Sequence, residues 1–101
     1  MAAYLIADVE VTDPAGYEEY RAKVPAIIAA HGGRYLVRGG ACDVLEGGGP
    51  PTRRVVLAFP TMQALKAFWE SPEYRPLRAL RERNASARIV AVEGVEASAT
   101  P

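Results

Sequence analysis

Three charged side chains sit at alternating positions of segments that otherwise read as β-strands: Asp8, Arg38 and Arg54. Asp8 shares its parity with Tyr4 and Ile6, Arg38 with Leu36, and Arg54 with Val56. A carboxylate and two guanidiniums on a partly apolar face must pair with one another or hold a charged group from outside, because burying a lone ion is costly. Two chemistries follow. In one, Arg38 or Arg54 holds a carboxylate or enolate while Asp8 acts as base or orienting group. In the other, the same groups form an ion-pair network that fixes an interface between subunits.

Other candidates are scattered. His31 is the only histidine, so one chain cannot build a metal site of several histidines, and no metal or cofactor is expected. It falls at the end of a helical pattern, where it is either a cation favoured by the helix dipole or a base. Tyr20 lies on a helical stripe with Tyr17, and Trp69 and Tyr74 flank a break between helices, where they complete a core or wall a pocket. Arg75, Arg78 and Arg81 recur three residues apart, the pattern of a solvated helical face. Gly47-Gly48-Gly49-Pro50-Pro51 lacks the Gly-Lys-Ser/Thr ending of a phosphate loop and reads as a turn. No Ser-His-Asp arrangement emerges.

Positioning these residues requires four strands and two or three helices. Tyr4 to Val11 alternates, with Leu5, Ala7, Val9 and Val11 on one face. Thr12-Asp13-Pro14 starts a helix whose stripe is Tyr17, Tyr20, Val24, Ile27, Ile28 and His31, with Pro25 predicting a kink near 21–24 and Gly32-Gly33 ending it. Arg34 to Arg38 is a second strand, Asp43 to Glu46 a short edge strand, and Arg53 to Phe59 a third full strand. Thr61 caps a helix that turns Met62, Leu65, Phe68 and Trp69 inward. Ser71-Pro72 breaks it, a further helix runs to about Asn84, and Arg88 to Glu93 is the last strand.

This β-α-β-β-α-β order predicts an α+β, ferredoxin-like antiparallel sheet with its helices on one face. Strands three and four are apolar on both faces: Val55, Leu57 and Phe59 lie opposite Val56 and Ala58, and Ile89 and Ala91 opposite Val90 and Val92. The bare face therefore needs a cover, and the same sheet from a second copy supplies it. The expected partner is the chain itself, as a homodimer.

The 101 residues match one domain, expected over 1–96 with 97–101 as a frayed tail. Twelve basic residues balance twelve acidic ones, so no broad field favours nucleic acid or an anionic membrane. No apolar run approaches the roughly 20 residues of a membrane span, and the first residues lack a signal-peptide pattern, which predicts a cytoplasmic location. Cys42 is the single cysteine, so no intrachain disulfide forms.

Several segments together resemble a known family. They are the opening Tyr-Leu-Ile-Ala-Asp-Val-Glu-Val-Thr-Asp-Pro, the Tyr17/Tyr20 pair, His31-Gly32-Gly33, Arg38-Gly39-Gly40, Arg54 to Pro60, Trp69-Glu70-Ser71-Pro72-Glu73-Tyr74, Leu77, Arg81 and Val92-Glu93-Gly94. The chain resembles domain of unknown function 1330, and Trp-x-Ser-Pro-Glu-Tyr is the most specific segment. The resemblance implies the fold of the dimeric α/β-barrel group and supplies no reaction. It also sets Arg81 apart from its neighbours, with Glu70 or another acid as its expected partner. Two functions stay open: a ligand-binding dimer with a carboxylate or phenolic pocket between sheet and helices, in the manner of a cofactor-independent enzyme, or a non-catalytic structural or regulatory dimer.

Overall fold

In the computed structural model, which describes residues 1–95, strand β1 (Ala3–Val11) leads into helix α1 (Pro14–Ala30). Strands β2 (Arg34–Arg38) and β3 (Arg53–Phe59) follow, then helices α2 (Met62–Trp69) and α3 (Tyr74–Asn84), and strand β4 (Ala85–Glu93). The predicted tail 97–101 lies outside the described residues.

The helix starts are set by local chemistry. Asp13 Oδ1 accepts hydrogen bonds from the Ala15 and Gly16 amides at 3.2 and 3.3 Å, with Pro14 at the first helical position. Thr61 Oγ1 accepts from the Ala64 amide at 3.0 Å. Ser71 joins α2 to α3: its hydroxyl donates to the Phe68 carbonyl at 2.9 Å and accepts from the Tyr74 amide at 3.3 Å. Gly32 adopts φ +78° just after α1, and the Gly33 amide returns to the Ile28 carbonyl at 2.9 Å, closing the helix.

The four strands form one antiparallel sheet in the order β2-β3-β1-β4, the ferredoxin-like arrangement. Ala3, Leu5, Ala7 and Val9 of β1 are buried beneath the helices. Leu57 and Phe59 of β3 join them, with Tyr17, Val24 and Ile28 of α1, Leu65 and Phe68 of α2, and Tyr74 and Leu77 of α3. Phe59, Phe68 and Tyr74 are the largest fully buried side chains, and Phe68 stacks on both others, at 5.5 and 4.5 Å between centroids. Burying each such ring stabilises the fold by about 1.5–3 kcal/mol.

Three local expectations are corrected. Residues 43–46 form no strand; Leu45 is 96% exposed, and glycines on both sides leave this short segment nothing apolar to pack against. Strand β4 starts at Ala85 rather than Arg88, because Ala85 to Ala87 pair with Val11 to Val9 directly out of α3. The third correction concerns β2. Tyr35 pairs with Leu57 but Val37 pairs with Val56, so Leu36 is an extra residue in a β-bulge. Downstream of it the strand's parity is inverted. Arg38, opposite Val55, therefore faces the helices and not the outer face that Asp8 and Arg54 share.

Candidate functional site

Between the inner face of the sheet and the helices lies a cavity enclosing about 40 Å³. Its floor is apolar, formed by Leu5, Ala7, Val9, Val55, Leu57 and Ile89. Its walls are aromatic and cationic. Tyr17, Tyr20, Tyr35, Trp69 and Tyr74 supply rings, and Arg21, Arg38, Arg53 and Arg81 supply guanidiniums. No aspartate, glutamate or histidine lines it.

Each arginine arrives by a different route. Arg81, in the last turn of α3, is only 6% exposed, and its Cζ lies 5.9 Å from the Trp69 ring centroid. Arg53, on the inner face of β3 opposite Val9, stands 5.7 Å over the Tyr17 ring. Gly39 holds φ +70°, a backbone conformation that suits glycine, with the Arg53 guanidinium in the space a side chain there would enter. Arg38 lies 4.7 Å over the Tyr35 ring and donates through Nη2 to the Arg21 carbonyl at 2.9 Å. That carbonyl is available because its partner four residues on is Pro25, which has no N–H. The proline expected to kink α1 thus sits within an unbroken helix and leaves a docking point for Arg38.

The electrostatics are one-sided. The Nε atoms of Arg21, Arg53 and Arg81 are buried without a hydrogen-bond partner. Among the described residues the only carboxylate touching a cavity arginine is Glu18, 3.5 Å from Arg21 Nη1 on the exposed surface. Such an exposed pair contributes little. The Tyr20 and Tyr74 hydroxyls meet at 3.0 Å. Burial first, and Tyr74 next, push the Tyr20 phenol well above its ordinary 10.0, with Arg81 pulling weakly the other way. Burial also raises Tyr35, against the pull of Arg38. Tyr20 therefore keeps its proton at neutral pH. It is a neutral hydrogen-bonding hydroxyl and not a base. The cavity can hold an anion or polarise a carbonyl, whereas none of the side chains lining it is an ordinary proton acceptor.

Of the residues singled out from the sequence, the fold gathers Tyr20, Arg38, Trp69, Tyr74 and Arg81 at this cavity. Asp8 and Arg54 pair with each other on the opposite face of the sheet, through Oδ1 and Nε in ionic contact. His31 stands apart at the α1 C-terminus, with Nδ1 3.0 Å from the Ile27 carbonyl and its ring edge-on to Phe68. Arg81 does not turn to Glu70: no ion pair joins them, and it packs inward against Trp69. Arg78 covers the same indole at 4.4 Å.

Sequence reasoning missed Arg21 and Arg53, although both carried a signal. Arg53 has the strand parity of Val55 and Leu57, and Arg21 falls four residues after Tyr17 and three before Val24 on the buried helical stripe. Among the described residues no cluster of three or more His, Cys, Asp or Glu gathers to hold a metal, and no helix is long and apolar enough to cross a membrane.

Solved structures share this architecture. A protein of unknown function from Rhodopseudomonas palustris is 17% identical, with 94% of this chain and 83% of that one aligned and a TM-score of 0.74. SnoaB, a cofactor-independent oxygenase from Streptomyces nogalater, is 12% identical with 98% of each chain covered and a TM-score of 0.68. A dimeric ferredoxin-like protein of unknown function from Jannaschia sp. CCS1 is 14% identical, covers 93% of this chain and 100% of its own, and scores 0.64. At such identities the likeness is one of fold. No curated protein matches the chain in sequence. The family model described as domain of unknown function (DUF1330) matches residues 2–95, and the chain belongs to that family.

Proposed function

We propose that this protein is a cytoplasmic homodimer that binds a small carboxylate or phenolic ligand in the cavity between its sheet and its helices. One observation carries the reading: four guanidiniums converge on an apolar, aromatic cavity whose lining holds no carboxylate. Arg81, only 6% exposed and without a counter-charge, is expensive in such surroundings, and an anionic ligand removes the penalty. The apolar floor then takes the ligand's body, and guanidinium forks take its oxygens. An enzyme of the cofactor-independent kind would use the same contacts to stabilise an enolate or phenolate form of its substrate. The likeness to SnoaB supports that version through fold alone.

A second reading, a purely structural dimer, draws on the opposite face. There Leu36, Val37, Val90 and Val92 are 39–45% exposed, and the Asp8–Arg54 pair stands between strands β1 and β3. We assign that pair to assembly and Arg38 to ligand, and Arg38→Met separates the two. Titrated with benzoate, the variant is expected to lose affinity at least tenfold while sedimenting, like the parent, as two chains of 10.9 kDa. Loss of the dimer with unchanged benzoate affinity would instead place Arg38 in assembly. A parent protein that ignores benzoate, salicylate and phenol alike would end the binding reading.

A further inference from the structure

The cavity's cations are not spread evenly. Four rings run along one wall in sequence: Tyr17 to Tyr20 at 5.6 Å, Tyr20 to Tyr74 at 6.4 Å and Tyr74 to Trp69 at 5.6 Å. An arginine stands over each end of this run, Arg53 at Tyr17 and Arg81 at Trp69. They come from different elements. Arg53 belongs to β3 on one side of β1, whereas Arg81 lies in the last turn of the helix that feeds β4 on the other side. Strands β3 and β4 are separated by two interstrand spacings, about 10 Å.

We propose that the natural ligand is an elongated dianion: an aromatic or unsaturated body with an anionic group at each end, one received by Arg81 and the other by Arg53. The proposal rests on the binding reading above and narrows its ligand class. Arg81 is more than nine-tenths buried, and both its Nε and that of Arg53 lack a partner. A ligand with one anionic group reaches one end and leaves the other guanidinium as it was. A ligand with two reaches both, and its flat body lies along the ring wall over Leu5, Ala7 and Ile89. The enclosed 40 Å³ accommodates little more than water, so entry needs side chains to swing aside. The heads able to do so are at the rim, where Arg38 is exposed and the Arg21 side chain is 43% exposed.

The chain's single tryptophan, Trp69, sits under Arg81 and reports occupancy by its fluorescence. The probes are terephthalate and naphthalene-2,6-dicarboxylate, each beside its monomethyl ester, which keeps the size and removes one charge. At least one diacid is expected to bind tenfold or more tighter than its half-ester. That advantage should shrink below threefold in Arg53→Met and in Arg81→Met. Because the ligand series uses the unaltered protein, it decides the question even where Arg81→Met fails to fold. Half-esters that bind as well as both diacids overturn the two-ended ligand and leave the binding reading standing. Silence from all four probes and from benzoate overturns both.

Discussion

The Tyr20 hydroxyl shows how burial decides what a side chain can do. It donates to or accepts from Tyr74 at 3.0 Å beside Arg81, yet desolvation outweighs that cation and holds the phenol protonated. A raised native pKa means the folded chain keeps a proton that the unfolded chain releases above about pH 10. The associated stability is intact below that pH and is lost as pH rises through and beyond it. Tyr20→Phe should therefore flatten the alkaline arm of the stability curve, removing up to about 1.4 kcal/mol per pH unit between pH 10 and 11.5. Denaturant titrations at stepped pH measure this; an unchanged slope would show that Tyr20 ionises as an exposed tyrosine does. Much of this residue-level picture was legible from sequence. Helical spacing singled out Tyr20, and the Trp-x-Ser-Pro-Glu-Tyr segment Trp69 and Tyr74; all three line the cavity. Periodicity alone made Arg81 one of three solvated arginines, since it does not say which of them a neighbouring helix covers; only the family resemblance set it apart.

At the scale of elements, two irregularities build the site, and they differ in how readable they are. Pro25 is plain in the sequence, and its missing N–H identifies the free carbonyl as that of Arg21. What cannot be read locally is that Arg38, 17 residues along the chain, takes that carbonyl. The bulge at Leu36 is illegible for the same reason: Arg-Tyr-Leu-Val-Arg is three apolar residues between two arginines, and only its pairing with β3 shows that the register slips. The consequence is large, because a slip of one residue moves Arg38 from the Asp8 face to the cavity. Pro25→Ala tests the coupling of these elements. Restoring the backbone donor should stabilise α1 by about 1–2 kcal/mol, the lost helix penalty offset in part by a freer unfolded chain. The new N–H also competes for the Arg21 carbonyl, so Arg38 loses its anchor and benzoate affinity should fall by about threefold to tenfold. Greater stability with undiminished affinity would show that the anchor does not matter.

Across the whole molecule, one sheet serves two purposes. Its inner face carries the core and the arginine-lined cavity, while its outer face keeps Ile6 and Val56 half-buried and Val90 and Val92 in the open. The doubly apolar strands announced this division in the sequence, because an antiparallel sheet with one wet face alternates and β4 does not. Charge on the two faces follows the same logic. Outside, Asp8 answers Arg54; inside, the arginines converge with no acid among the lining residues. The most direct test of that asymmetry is a crystal structure of the protein soaked in benzoate at saturating concentration. The account predicts a carboxylate within about 3 Å of Arg38, Arg53 or Arg81 nitrogen atoms, with its ring against the tyrosine wall. A cavity unchanged by benzoate, with no carboxylate beside any of these guanidiniums, would contradict it.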